Sequence, residues 1–145
     1  MLEGFNDAVF CETVTPVAGS VLYTDLCFGY AEHSGIYIGH NQIVELNAKG
    51  GISVVTPEEF ISGGTGVHIY VSSFDGCAVG SKKAAKRAKY LINSQRDYNF
   101  LLSNCHQFTA GCLTNEFENG SSFLWMLKDD CQTYLGANEW RIWDV

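Results

Sequence analysis

A thiol, an imidazole and a carboxylate in this chain can be combined into one reaction centre. A cysteine attacks as its thiolate, which needs a base to form it and often a third polar group to orient that base. Cys105 follows Asn104, a good helix cap, and Phe108, Cys112 and Leu113 follow at roughly helical spacing. This pattern places Cys105 in the first turn of a helix, where the positive end of the helix dipole favours thiolate. The same placement leaves the Cys105 backbone N–H at an exposed helix start beside Asn104, ready to donate to an oxyanion. His33 begins a predicted strand and Glu45 lies on the next one. The two are expected as cross-strand neighbours, the carboxylate fixing the imidazole tautomer. Tyr37 shares strand parity with His33 and is expected either to line the same site or only to pack. Gly35, between them, is read as room for the thiol-bearing helix.

The elements that must position these groups are readable from punctuation and periodicity. Gly19–Tyr23 reads as a short strand, Asp25–Glu32 as a loop, and His33–Leu46 as a hairpin turning at Gly39-His40-Asn41. Ile52–Val55 and Val67–Val71 read as further strands. Thr56-Pro57-Glu58-Glu59 carries a helix-start pattern, and Gly63-Gly64 stops that helix early. Ser81–Gln95 is the clearest helix, with Ala84, Ala85, Ala88, Leu91 and Ile92 on one face. Beyond Asn119 the pattern weakens, and Trp125, Trp140 and Trp143 are expected to cover the core. Residues 1–18 lack periodicity and read as a loosely attached arm. Strands first and helices after give an α+β domain with a mainly antiparallel sheet packed against helices.

Composition limits the rest. The chain has 145 residues, one domain's worth, with 46% hydrophobic and 17% charged residues. The net charge of −7 argues against nucleic acid as a partner. Six of the nine bases lie between Lys82 and Arg96 with no acid among them. Lys82, Lys83, Lys86, Arg87 and Lys89 read as a solvated helix face, with contact to a membrane surface as the alternative. No run of about 18 apolar residues predicts a membrane-spanning helix. Residues 1–20 lack the basic-then-apolar pattern of a secretory signal, so a reducing, cytoplasmic setting is expected. The six cysteines, Cys11, Cys27, Cys77, Cys105, Cys112 and Cys131, contain no C-x-x-C pair, and no metal is expected. All but Cys105 are read as packing residues. His40 is read as a solvated turn residue and His68 as a mid-strand histidine.

A family resemblance appears at the chemical residues. His33–Leu46 (H-S-G-I-Y-I-G-H-N-Q-I-V-E-L) resembles the lecithin:retinol acyltransferase-like family, in which a strand H-x-x-I-Y-V-G precedes a strand V-V-H-L. Tyr98–Phe108 (Y-N-F-L-L-S-N-C-H-Q-F) is similar to its Y-x-L-x-x-N-N-C-E-H-F, and Ala18–Leu22 echoes its P-G-D-L-I. The likeness covers about residues 16–113. The resemblance implies a permuted papain-like fold, related to NlpC/P60 peptidases, with histidine before cysteine. It implies Cys105 as nucleophile and His33 as general base, with no cofactor. Glu45 stands where the family's vertebrate-type members have a second histidine, and His106-Gln107 stands where Glu-His is usual. His106 is given no base role, because adjacent helical side chains diverge by about 100°. The implied activity is acyl transfer from a lipid or small-molecule ester. A peptide or peptidoglycan amide substrate, and a non-catalytic binding domain on the same fold, are the alternatives.

Overall fold

The computed structural model describes residues 13–29, 31–94 and 104–145. In chain order the strands are β1 (Thr13–Val14), β2 (Val21–Leu26), β3 (Ala31–Gly39), β4 (Gln42–Leu46), β5 (Ile52–Val55), β6 (Tyr70–Phe74), β7 (Cys77–Ala78) and β8 (Glu139–Trp143). The helices are α1 (Pro57–Ser62), α2 (Lys82–Tyr90), α3 (Asn104–Thr114) and α4 (Leu124–Leu135). The strands form one sheet ordered β1-β8-β6-β2-β3-β4-β5, with β7 paired to β6. All pairings are antiparallel except β1 with β8. The architecture is α+β.

Strand alternation divides the sheet into two faces. Ile36, Ile38, Val44 and Leu46 join one core with Ala84, Ala88, Phe108 and Leu127 of the helices. Tyr37 and Ile43 join another core with Phe60 of α1 and Trp143 of β8. The β3–β4 turn uses His40 and Asn41, both at positive φ (52° and 57°). Two such residues give a turn whose twist matches that of the strands it joins. Thr56 caps α1 through a capping box with Glu59, as the sequence predicts. His40 is exposed in its turn.

Several boundaries differ from the sequence reading. The loop expected over 25–32 shrinks to a short turn, because Asp25 pairs with Glu32 and Leu26 with Ala31. The helix expected to reach Gln95 stops at Tyr90. There Asn93 adopts φ 71° and exchanges backbone hydrogen bonds with the start of β5, Asn93 N to Ile52 O and Ile52 N to Ser94 O. The strand expected over 67–71 begins at Tyr70, so His68 is an exposed residue before it rather than mid-strand. α4 and β8 were not legible in the sequence. α4 starts without a side-chain cap at Phe123, which removes the local signal for its beginning. Trp143 is buried, whereas Trp125, expected over the core, is 63% exposed on α4. The loosely attached arm expected over residues 1–18 is not seen at Thr13–Val14, which form β1 beside β8 with Val14 buried. Residues 1–12 with Cys11, the segment from Gln95 to Ser103 with Arg96, and the Asn104 side chain lie outside the described residues.

The room left by Gly35 serves α1 and the neighbouring strand, not the thiol-bearing helix. A Cβ there would lie 2.8 Å from the Val44 carbonyl oxygen and 3.1 Å from the Phe60 ring. A backbone atom at that distance has to move. Gly35→Ala is therefore expected to destabilise the fold by about 1–3 kcal/mol through overpacking. At this chain length each kcal/mol lowers Tm by about 2–4 °C. Thermal unfolding checks this, and an unchanged Tm would show that the two strands separate freely.

Candidate active site

Backbone pairing between β3 and β4 ends at Ile36 and Val44, although β4 continues its pairing with β5 to Leu46 and Ile52. Beyond that point a cleft of about 520 Å3 opens. Ala31–His33 line one side of it and Glu45–Ala48 another, with Phe60 of α1, Cys105 and His106 of α3, and Phe123 completing the walls. Its volume is that of a small-molecule site.

His33 and Glu45 project from the same face of the sheet. Their side chains join across the gap, with His33 Nε2 2.8 Å from Glu45 Oε1. A carboxylate only accepts, so Nε2 carries the hydrogen and Nδ1 is the nitrogen left for another partner. The His33 ring also packs on Phe60, with centroids 4.9 Å apart, which limits its rotation. The third member comes from α3, which begins at Asn104 itself, one residue before the expected start. Cys105 therefore remains in the first turn, among the backbone N–H groups without intrahelical acceptors. Its sulfur lies 3.7 Å from the Glu32 carbonyl oxygen and within hydrogen-bonding reach of both the His33 and His106 rings.

Electrostatics follows from this contact. Burial alone lowers the His33 pKa; the hydrogen bonds to Cys105 and Glu45 outweigh it and raise the value to about 9. Burial alone raises that of the Cys105 thiol; the His106 and His33 imidazoles outweigh it and lower the value to about 5. Cysteine thus loses its proton before histidine does, and between these values the two form a thiolate–imidazolium pair.

His106, given no base role from the sequence, also lines the cleft. Its side chain is only 6% exposed, with Nε2 3.8 Å from Glu32 Oε1. Its Nδ1 lies 2.9 Å from Ser34 Oγ, which donates to Thr109 Oγ1, which donates to the Cys105 carbonyl. The His33 and His106 imidazoles both line the cleft with Cys105 and act on its thiol. Gln107, the other departure from the motif, exchanges hydrogen bonds with Asn119, tying α3 to the segment that leads to Phe123.

The other singled-out residues are placed as follows. Tyr37 shares the face of His33, but it is not among the residues lining the cleft. Its hydroxyl accepts from Asn41 N–H and its ring meets Trp143 edge-on. Cys112 and Cys131 are fully buried in the helical core as packing residues, whereas Cys27 and Cys77, read the same way, are exposed. Of the basic face of α2, Lys82, Lys83, Lys86 and Lys89 are exposed, whereas Arg87 donates to the Cys112 and Leu113 carbonyls near the end of α3. Among the described residues no helix is long and apolar enough to cross a membrane. None of their His, Cys, Asp and Glu side chains form a metal-binding group of three.

Replacing Glu45 by Gln keeps its size and removes the charge that favours the imidazolium. The His33 titration, followed by imidazole proton NMR, is expected to move down from about 9 by about one unit or more. An unchanged midpoint would remove Glu45 as the partner of His33.

No protein-family model matches the chain, and no curated protein matches it.

Proposed function

We propose that the protein is a cysteine-dependent acyl-transfer enzyme acting on lipid ester acyl groups, in the manner of the acyltransferase-like family that His33–Leu46 and Tyr98–Phe108 resemble. The observation that carries this reading is the convergence of Cys105, His33 and Glu45 on one cleft. The permuted papain-like fold belongs to the same proposal. An α+β body with histidine on a strand before a cysteine-bearing helix supports it.

In this reading Glu45 holds His33 through Nε2–H, and His33 Nδ1 takes the thiol proton. The Cys105 thiolate attacks the acyl carbonyl, and the N–H groups of the first turn of α3 receive the developing oxyanion. His33 returns its proton to the leaving alcohol, which leaves an acyl-thioester on Cys105. Water or an amine then attacks, with His33 as base. Leu26, Leu46, Phe60 and Phe123 give the cleft apolar wall against which an acyl chain can lie. The Glu45 substitution motivates a non-catalytic reading, but a carboxylate 2.8 Å from the imidazole serves the orienting role. A reducing cytoplasmic setting is part of the proposal, because there thiols stay unpaired.

Incubation with short-chain and phospholipid esters is expected to add one acyl mass to Cys105, seen in the intact protein. Cys105→Ala abolishes the adduct and lowers turnover by roughly 10^4-fold or more. His33→Ala lowers it by about 10^2–10^4-fold. The rate constant kcat/KM rises with pH through about 5, where the thiolate forms, and falls through about 9, where the imidazolium that protonates the leaving group is lost. Peptide or cell-wall amides cleaved with esters untouched would assign the amidase alternative. No Cys105-dependent adduct with any ester or amide would leave the binding domain.

A further inference from the structure

We infer that His106 is a second proton acceptor for the Cys105 thiol, held in the required tautomer by Ser34 and Thr109. The inference deepens the proposed function and rests on Cys105 being the nucleophile.

The argument starts from an atom that can only accept. The Cys105 carbonyl takes the Thr109 hydroxyl hydrogen at 2.7 Å. Thr109 has no other hydrogen on that oxygen, so its 2.9 Å bond with Ser34 is donated by Ser34. Ser34 has then spent its own hydrogen, so its 2.9 Å contact with His106 is donated by Nδ1–H. A neutral His106 therefore carries its lone pair on Nε2. That nitrogen lies 3.8 Å from the Glu32 carboxylate, and the ring lines the same cleft as Cys105 and acts on its thiol.

The lone pair on Nε2 is left to take a proton, and the transfer is simple. The Cys105 S–H bond breaks, its electron pair stays on sulfur, and the proton forms an N–H bond at His106 Nε2. The resulting imidazolium donates to Ser34 through Nδ1 and faces the thiolate and Glu32 through Nε2. Thiolate formation then has two outlets, His33 backed by Glu45 and His106 backed by Glu32. The other charged and titratable groups nearby are Lys128 of α4, and Asp25 and Tyr23 of β2, which interact with one another and with Glu32. Lys128 also contacts the Tyr23 ring and hydroxyl.

The test is the rate of iodoacetamide alkylation against pH, read by peptide mass at Cys105 so that Cys27 and Cys77 do not contribute. His106→Asn keeps a donor for Ser34 and deletes Nε2. It is expected to raise the reactivity midpoint by about one unit, while His33→Ala leaves a midpoint still below the ordinary thiol value of about 8.5. The double variant is expected to reach about 8.5. A wild-type midpoint retained in His106→Asn, or an ordinary midpoint already in His33→Ala, overturns the second acceptor while leaving the proposed function standing. An ordinary midpoint in the wild type overturns both. A second measurement needs no variant. Nitrogen-15 spectra of the imidazoles are expected to show neutral His106 as the Nδ1–H tautomer. A neutral Nε2–H form would overturn the inference, because that nitrogen would have no lone pair to receive the proton.

Discussion

The site depends on the place where β3 and β4 cease to be partners. As far as Ile36 and Val44 the two strands share a ladder, and past it they part. Had the ladder continued, the gap would be filled by backbone bonds and no cleft would form. In its place a single side-chain hydrogen bond, His33 to Glu45, spans the opening. Gly35 sits at the fork, where the Phe60 ring and the Val44 carbonyl leave no space for a side chain. The turn at His40 and Asn41 sets the pairing of Gly39 with Gln42, and the one-residue register shift between Gly39 and Tyr37 is what puts positions 33 and 45 on the same face.

Alternation along β3 then serves two neighbours at once. His33 points with Gly35 and Tyr37 toward α1, and Ser34 points the other way, against α3. Cys105 stands at the beginning of α3, beside the Glu32 carbonyl, so consecutive residues of one strand serve the same helix start: His33 lines the cleft with it, and Ser34 holds His106. The geometry needs the helix start and the strand start to coincide. α2 supports this from the far end of the helix, where Arg87 binds the carbonyls of Cys112 and Leu113. A cation there and a thiolate at the N-terminus both complement the dipole of α3.

Much of this was legible in the sequence, for local reasons. The capping box at Thr56, the turn at Gly39–Asn41 and the alternation through Ile36 and Val44 are short-range signals, and each element formed where they stand. Glu45 was found because two strands joined by a tight turn bring specified residues together. What was missed depends on long-range contact. β8 fits between β1 and β6 although more than 60 residues of chain separate it from β6. The end of α2 is imposed by backbone capture at Ile52, which no propensity encodes. His106 was set aside on a helical-wheel argument. Its partners Ser34 and Glu32 come from a strand about 70 positions earlier, and nothing in the spacing around Cys105 announces them.

The lining of the cleft carries one more consequence. Glu32, Glu45 and Glu59 are its charged members together with the two histidines, and no lysine or arginine is among the described residues that line it. With the lysines of α2 outside that lining, the field at the mouth is set mainly by carboxylates. Such a field slows the arrival of anions and concentrates cations, and added salt weakens both effects within a Debye length of about 8 Å at physiological ionic strength. Charge in the wall acts on a molecule while it diffuses, before any contact with the sulfur is made.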